Sequence, residues 1–310
     1  MEQKEKTPAV QDMDAVRQSL DTVGDYIRWG ASRFQHAGLH FGHGTDNAVD
    51  EAAFLVLHAL HLPPDTSEAL YPARLTAEEK STVLALLKRR IDERRPAAYL
   101  TGTAWFAGLS FRVDERVLVP RSPMAEWIER QFEPWLEADS VSRVLDIGTG
   151  SGCLAVACAL AFPDAQVDAV DISKDALAVA RVNIDAHGLT HRVQLLQSDV
   201  FAGVHGDYDL IISNPPYVDP DTIAALPAEY QHEPEIGFAA GDDGLAVVHR
   251  ILAGSAAHLR PTGLLVVEVG CGRAAFTQAY PRLPVTWLEM ARGGDDVFLL
   301  HADDLDGVAA

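Results

Sequence analysis

Val144-Leu145-Asp146-Ile147-Gly148-Thr149-Gly150-Ser151-Gly152-Cys153 decides the fold of this chain. An apolar run with the composition of a buried strand turns into a glycine loop, and an alanine-rich helical stretch follows. Strand, glycine loop and helix in that order predict an α/β sheet with a ligand at the turn. The glycines are spaced GxGxG. A dinucleotide fingerprint, GxGxxG, requires glycine where Cys153 stands, which argues against hydride transfer. Glycines here let the backbone turn sharply and approach a ligand with no Cβ in the way. The unpaired N–H groups and dipole at the start of the next helix favour a carboxylate.

Downstream the pattern repeats. Val167-Asp168-Ala169-Val170 ends in Asp171, 23 positions after Gly148, where an acidic side chain can accept the two hydroxyls of a ribose. Ile172 is then placed beside the face of an adenine. A third stretch, Val193 to Leu196, leads to Asp199-Val200, placed to receive an adenine amino group.

A fourth run, Tyr208-Asp209-Leu210-Ile211-Ile212-Ser213, stops in Asn214-Pro215-Pro216-Tyr217. A polar amide, two prolines and an aromatic make a poor core and a good clamp for a flat, weakly nucleophilic NH₂ group. The Asn214 side-chain oxygen and the Pro215 carbonyl can each accept one N–H. The second proline fixes the local backbone and offers no competing N–H. Tyr217 adds a face on which a planar group can stack. A proline-rich turn after a strand is the plainer alternative for the tetrapeptide by itself.

Taken as a set, the glycine loop, the acidic strand end, the second Asp and Asn-Pro-Pro-Tyr resemble the S-adenosylmethionine-dependent methyltransferases with a Rossmann-like fold, over residues 140 to 300. The resemblance implies a seven-stranded, mostly parallel sheet and S-adenosyl-L-methionine as cofactor. It implies cofactor contacts from Asp146, Gly148, Thr149, Gly150, Ser151, Gly152, Asp171, Ile172, Asp199, Val200 and Asn214. Asn214, Pro215, Pro216 and Tyr217 form the catalytic set, and no metal is expected.

The first hundred residues read as helical. Val16, Leu20, Val23 and Ile27 recur at helical spacing, as do Ala52, Leu55, Val56 and Leu60. Thr76-Ala77-Glu78-Glu79 is a capping box opening a helix that carries Val83, Leu86, Leu87 and Ile91 and stops before Pro96. From Trp105 to Val119 the period falls to two, and Ala107-Gly108 predicts a hairpin whose second arm alternates Leu109, Phe111 and Val113. The expected domains are therefore a helical one over 1–100, a hairpin linker over 101–122 and the methyltransferase domain over 123–310. The first ten and last eight residues read as disordered.

Leu39-His40-Phe41-Gly42-His43-Gly44 has an HxxH spacing, but with no third ligand nearby it reads as a turn before a helix capped by Thr45 or Asp46. Glu229-Tyr230-Gln231-His232-Glu233-Pro234 reads as a lid over the cleft and a weak metal candidate. The helical region, the Pro96-Ala97-Ala98-Tyr99-Leu100-Thr101-Gly102 segment, the hairpin and the clamp look like the protein-glutamine N5-methyltransferases. Gly42 to Asn47, Val119-Pro120-Arg121-Ser122-Pro123 and Glu229 to Pro234 resemble the branch acting on ribosomal protein L-three. The release-factor branch usually carries Pro-Arg-Pro followed by Asp or Glu where Ser122 and Pro123 stand.

Composition limits the partners. With 25 Lys and Arg against 45 Asp and Glu, the net charge is −20, which repels nucleic-acid phosphates and favours a basic protein, with plain solubility or a salt-adapted, acidic proteome as the alternative reading. The one dense basic cluster, Lys88-Arg89-Arg90 with Arg94-Arg95, lies at a helix end where cations are favoured anyway. A basic ribosomal protein of the L-three type is the expected substrate. The alternatives are a release factor, or an adenine N6 or cytosine N4 position in nucleic acid. No apolar run approaches the ~20 residues that span a bilayer. The charged Met1-to-Lys6 start and three cysteines without CxxC spacing, expected to be mostly buried thiols, point to the cytoplasm.

Overall fold

The computed structural model describes residues 13–305 except 219, 239, 242, 292, 293 and 295. The chain forms two compact units, Met1–Thr101 and Gly102–Ala310. The first ten residues, expected to be disordered, lie outside the described residues, as do 306–310. Of the last eight, Asp303 to Leu305 instead belong to a 3₁₀ turn, Ala302–Leu305, with Leu305 buried against the sheet. Among the described residues no helix is long and apolar enough to cross a membrane.

The first unit is helical: α1 (Met13–Ser19), α2 (Val23–His36), α3 (Ala48–Ala59), α4 (Ala77–Glu93) and α5 (Ala97–Thr101). The stripe from Val16 to Ile27 belongs to two helices. Thr22 interrupts it, taking the Asp25 N–H at 3.2 Å while Asp25 takes the Thr22 N–H at 2.9 Å. Helix α4 opens on the expected Thr76–Glu79 box, and Arg94 ends it in the left-handed region two residues before Pro96. The α3 cap differs from expectation. Asn47 fills that place, because its oxygen reaches the Val49 and Asp50 amides, both at 3.0 Å, whereas Thr45 gives its hydroxyl to Glu51 at 3.0 Å. Tyr26, Phe34, Leu55, Val56, Val83 and Leu87 make the core of this unit.

The second unit begins with the hairpin, β1 (Thr103–Phe106) and β2 (Leu109–Arg112), paired antiparallel. Ala107 and Gly108 both have positive φ (49° and 71°), the two-residue turn whose twist suits a hairpin. The hairpin belongs to this second unit and not to a separate linker. The buried Asn183 amide accepts the Arg112 N–H at 2.7 Å and donates to the Arg112 carbonyl at 3.0 Å, as a further strand would.

Then come α6 (Ala125–Glu129), β3 (Arg143–Ile147), α7 (Cys153–Ala161), β4 (Gln166–Asp171), α8 (Lys174–Ala186) and β5 (Val193–Gln197). They are followed by β6 (Tyr208–Ser213), α9 (Pro220–Ala225), α10 (Ala246–Ser255), β7 (Leu259–Glu268), α11 (Arg273–Ala279), β8 (Thr286–Trp287) and β9 (Val297–His301). Seven strands form one sheet in the order β5-β4-β3-β6-β7-β9-β8, the first five parallel and β9 antiparallel to both its neighbours, as expected for this fold. Strand order reverses between β3 and β6, so a crevice opens beyond their carboxyl ends, where open α/β sheets bind ligands.

Candidate active site

A cavity of about 320 Å³ occupies that crevice. Its floor is the glycine loop between β3 and α7. Gly148, Gly150 and Gly152 all have positive φ (74°, 55° and 83°), which other residues adopt only with strain. Gly148 through Ser151 line the cavity. The sequence reading sets Asp146 and Gly152 in contact with the cofactor, but the structure places both behind the wall. A Cβ on Gly152 would stand 3.2 Å from the Ala180 Cβ, so this glycine lets α8 pack under the loop. Asp146 is fully buried and braces the loop, its Oδ2 accepting the Thr149 hydroxyl at 2.6 Å and the Ala155 N–H at 3.1 Å. Burial pushes its carboxyl up to about 7.

Asp171 ends β4 at the cavity wall. One carboxylate oxygen accepts the Gly150 N–H at 2.9 Å and the other the Ser173 N–H at 2.8 Å, which orients the group and leaves lone pairs for hydroxyls. Burial raises its carboxyl above the usual range, and those amides oppose the shift. Ile172 is half exposed on the same wall. Val200, which also lines the cavity, sits at φ 51°, costly for a β-branched residue. The buried Ser198 holds that turn, donating to the Val200 carbonyl at 2.8 Å and accepting the Gly203 N–H at 2.8 Å. Asp199 is held by Arg250 of α10 at 2.8 Å, whose hydrogen bond keeps the carboxyl below its ordinary value.

Asn214, Pro215, Pro216 and Tyr217 all line the same cavity. Among the described residues no hydrogen bond engages the Asn214 side chain or the Pro215 carbonyl, so both acceptors stay available. The Tyr217 hydroxyl donates to Glu268 at 3.3 Å. The segment expected as a lid is a wall tied to the stretch before α6. Glu233 accepts the Val119 N–H at 2.8 Å and both ends of the Arg121 guanidinium, at 2.7 and 2.9 Å. Pro234, Ile236 and Phe238 line the cavity, whereas Glu229 is buried away from it. Among the described residues no group of three His, Cys, Asp or Glu could hold a metal. Of the cysteines, Cys158 is buried, Cys153 partly so, and Cys271 is exposed, unlike the expectation.

Ser198, Asn183, Arg250 and Glu268 escaped the sequence reading, and Arg121, Ser122 and Glu233 were noted only as family features, without their bonds to one another or to Glu268. Of the four that escaped, Glu268 alone carried a signal. It ends the apolar run Leu264 to Val267, as Asp171 ends β4.

The residues fit S-adenosylmethionine: a glycine cradle open to the cavity, a helix start beyond it, an oriented carboxylate at a strand end, and apolar walls at Ile172 and Val200. Fold and site define a Rossmann-like, S-adenosylmethionine-dependent methyltransferase. Residues 132–227 match the methyltransferase small domain family, and residues 25–102 match the PrmC N-terminal domain family. A ribosomal protein uL3 glutamine methyltransferase of Neisseria gonorrhoeae is 51% identical over 291 residues, 94% of this chain and 97% of the relative. One of Xanthomonas campestris pv. campestris is 52% identical over 292 residues, 94% of each. The chain belongs to the family of ribosomal protein uL3 glutamine methyltransferases.

Proposed function

We propose that this chain transfers a methyl group from S-adenosylmethionine to the side-chain nitrogen (N5) of a glutamine in ribosomal protein uL3. One observation carries the acceptor chemistry: two acceptors that no hydrogen bond engages among the described residues, the Asn214 side-chain oxygen and the Pro215 carbonyl, in the cavity that the glycine loop also lines. The relatives' names supply the protein substrate. The net charge of −20 supports a basic protein partner over nucleic acid, and the cytoplasm is where such a partner is met.

Bound S-adenosylmethionine supplies a methyl group already activated on a sulfonium. The chain's work is placement and electrostatics. An amide nitrogen delocalises its lone pair into its carbonyl and is a weak nucleophile. Asn214 and the Pro215 carbonyl accept its two N–H groups, aim the nitrogen, and stabilise the positive charge that grows on it. Alignment of bound reactants recovers roughly 7–11 kcal/mol of a barrier of this kind. Tyr217 and the prolines close the wall around the planar amide. No group in the clamp has the basicity to take the proton, which leaves to water after transfer.

The test incubates the protein with labelled S-adenosylmethionine beside ribosomal proteins, release factors and ribosomal RNA. Label on uL3 is the expected result, and label on a release factor or RNA instead overturns the proposal. In Asn214→Ala, turnover falls on the order of 10²–10³-fold, as when one charge-stabilising group is removed. Cofactor affinity, measured by calorimetry, changes far less.

A further inference from the structure

We infer that Glu268 is a positioning residue for the acceptor clamp, fixing the plane of the Tyr217 ring and tying it to the segment that carries Ser122. The inference deepens the function proposed above and rests on the clamp assigned there. Glu268 ends β7 and is buried. Its Oε2 accepts the Ser122 hydroxyl at 2.5 Å, and its Oε1 accepts the Tyr217 hydroxyl at 3.3 Å. Ser122 is itself buried and also accepts the Met124 N–H at 3.2 Å, so its hydroxyl is fixed on two sides.

The other constraint on the ring is steric. Gly270, two residues past Glu268, lies so close that a Cβ built on it would stand 2.3 Å from the Tyr217 Cε2. Its φ of 47° also favours glycine. Tyr217 is therefore pinned at its hydroxyl by Glu268 and along its ring edge by the backbone of the next turn. A wall with a fixed plane presents one surface to a flat amide, whereas a ring free to swing presents many.

As packing alone this arrangement is expensive. A buried carboxylate without a cation in contact costs free energy that an apolar side chain avoids. The charges facing Glu268 are Arg121, already bonded to Glu233, and Asp296 ahead of β9; Cys271 faces Tyr217. Burial pushes the Glu268 carboxyl up to about 7, against the two hydroxyl bonds and the Arg121 charge. The ionised group accepts both hydroxyls. Protonation turns one oxygen into an O–H donor and a poorer acceptor, so the contact at that oxygen weakens or reverses as the group titrates.

The experiment places 3-fluorotyrosine at 217 in the full chain and follows its ¹⁹F resonance from pH 5.5 to 8. The resonance is expected to titrate with a midpoint near the Glu268 value and to stay flat in the isosteric Glu268→Gln. In Ser122→Ala the midpoint moves up, because a bond that stabilises the ionised form is gone. Glu268→Gln and Tyr217→Phe are each expected to cut kcat by about tenfold to a hundredfold, the scale of a misplaced reacting group. The double variant should lose no more than the worse single one, and cofactor Kd should hold. A wild-type resonance that does not titrate, one that titrates alike in Glu268→Gln, or losses that multiply in the double variant overturn the inference. Failure of uL3 to take a methyl group overturns the proposed substrate and leaves the resonance experiment to decide the positioning role.

Discussion

The helical unit sets its buried carboxylate against a cation, whereas the second unit uses cations for some carboxylates and only neutral partners for those nearest the cavity edge. In Met1–Thr101, Glu51 and Arg90 are both buried and meet each other at 2.7 Å. Burial pushes the Glu51 carboxyl up, and the guanidinium beside it opposes the shift. Arg90 also donates to the His40 carbonyl at 3.0 Å, and Thr45 completes Glu51. In Gly102–Ala310, Glu233, Asp168 and Asp209 are held by Arg121, Arg143 and Arg260, whereas the buried Asp146 and Glu268 and the partly buried Asp171 meet hydroxyls and amides, with no cation in contact among the described residues. The last three carboxylates sit toward the carboxyl ends of β3, β4 and β7, the edge at which the cavity opens. A cation would neutralise a carboxylate and hold two elements together. Hydroxyls and amides orient it while leaving it free to take up a proton or a ligand. The first arrangement stabilises a helical bundle, and the second prepares a site.

Breaking the paired charge gives the largest effect. Arg90→Ala leaves Glu51 buried alone, and about 3–5 kcal/mol of stability in the helical unit is lost. Amide exchange should show lost protection in α3 and α4, while calorimetry shows S-adenosylmethionine binding retained. Equal protection in the variant would mean that Glu51 finds water or another partner.

The unpaired carboxylates sharpen the contrast through pH. Asp146 and Glu268 rise from ordinary values of 3.8 and 4.5 to about 7 in the folded chain. Between those limits the folded state holds protons that the unfolded state has released, so stability falls as pH rises from about 4.5 to about 7. The slope is at most about 1.4 kcal/mol per pH unit for each group. Urea unfolding of the second unit across that range reads the slope, and Asp146→Asn should flatten it without changing its sign. The smallest effect comes from a local feature of the first unit. Thr76→Ala removes one half of a capping box and should cost about 1 kcal/mol, seen in the urea midpoint with the slope m unchanged.

The features legible in the sequence are those whose cause is local. The glycine loop after β3, Asp171 at the end of β4 and Asn-Pro-Pro-Tyr after β6 each close an apolar run, and punctuation of that kind survives without knowledge of the fold. The Thr76 box and the Ala107-Gly108 turn are read for the same reason. Where two local signals compete, the pattern alone misleads. Thr45, Asp46 and Asn47 are all capping residues, and only the start of α3 selects Asn47. The Val16-to-Ile27 spacing is regular, yet Thr22 and Asp25 form a helix start inside it.

The sequence by itself determined the class of the second unit, its glycine loop and its Asn-Pro-Pro-Tyr turn, because each is written in adjacent residues whose backbone preferences are strong. Only the tertiary structure decided which side chains stand behind those residues. It set Asp146 under the loop, joined Arg250 to Asp199 across 51 positions, and brought Ser122 and Tyr217 to one carboxylate from 146 and 51 positions away. The physical reason is burial: hydroxyls and carboxylates distant in the chain bond to one another once the sheet has closed around them, because an unpaired polar group there is costly.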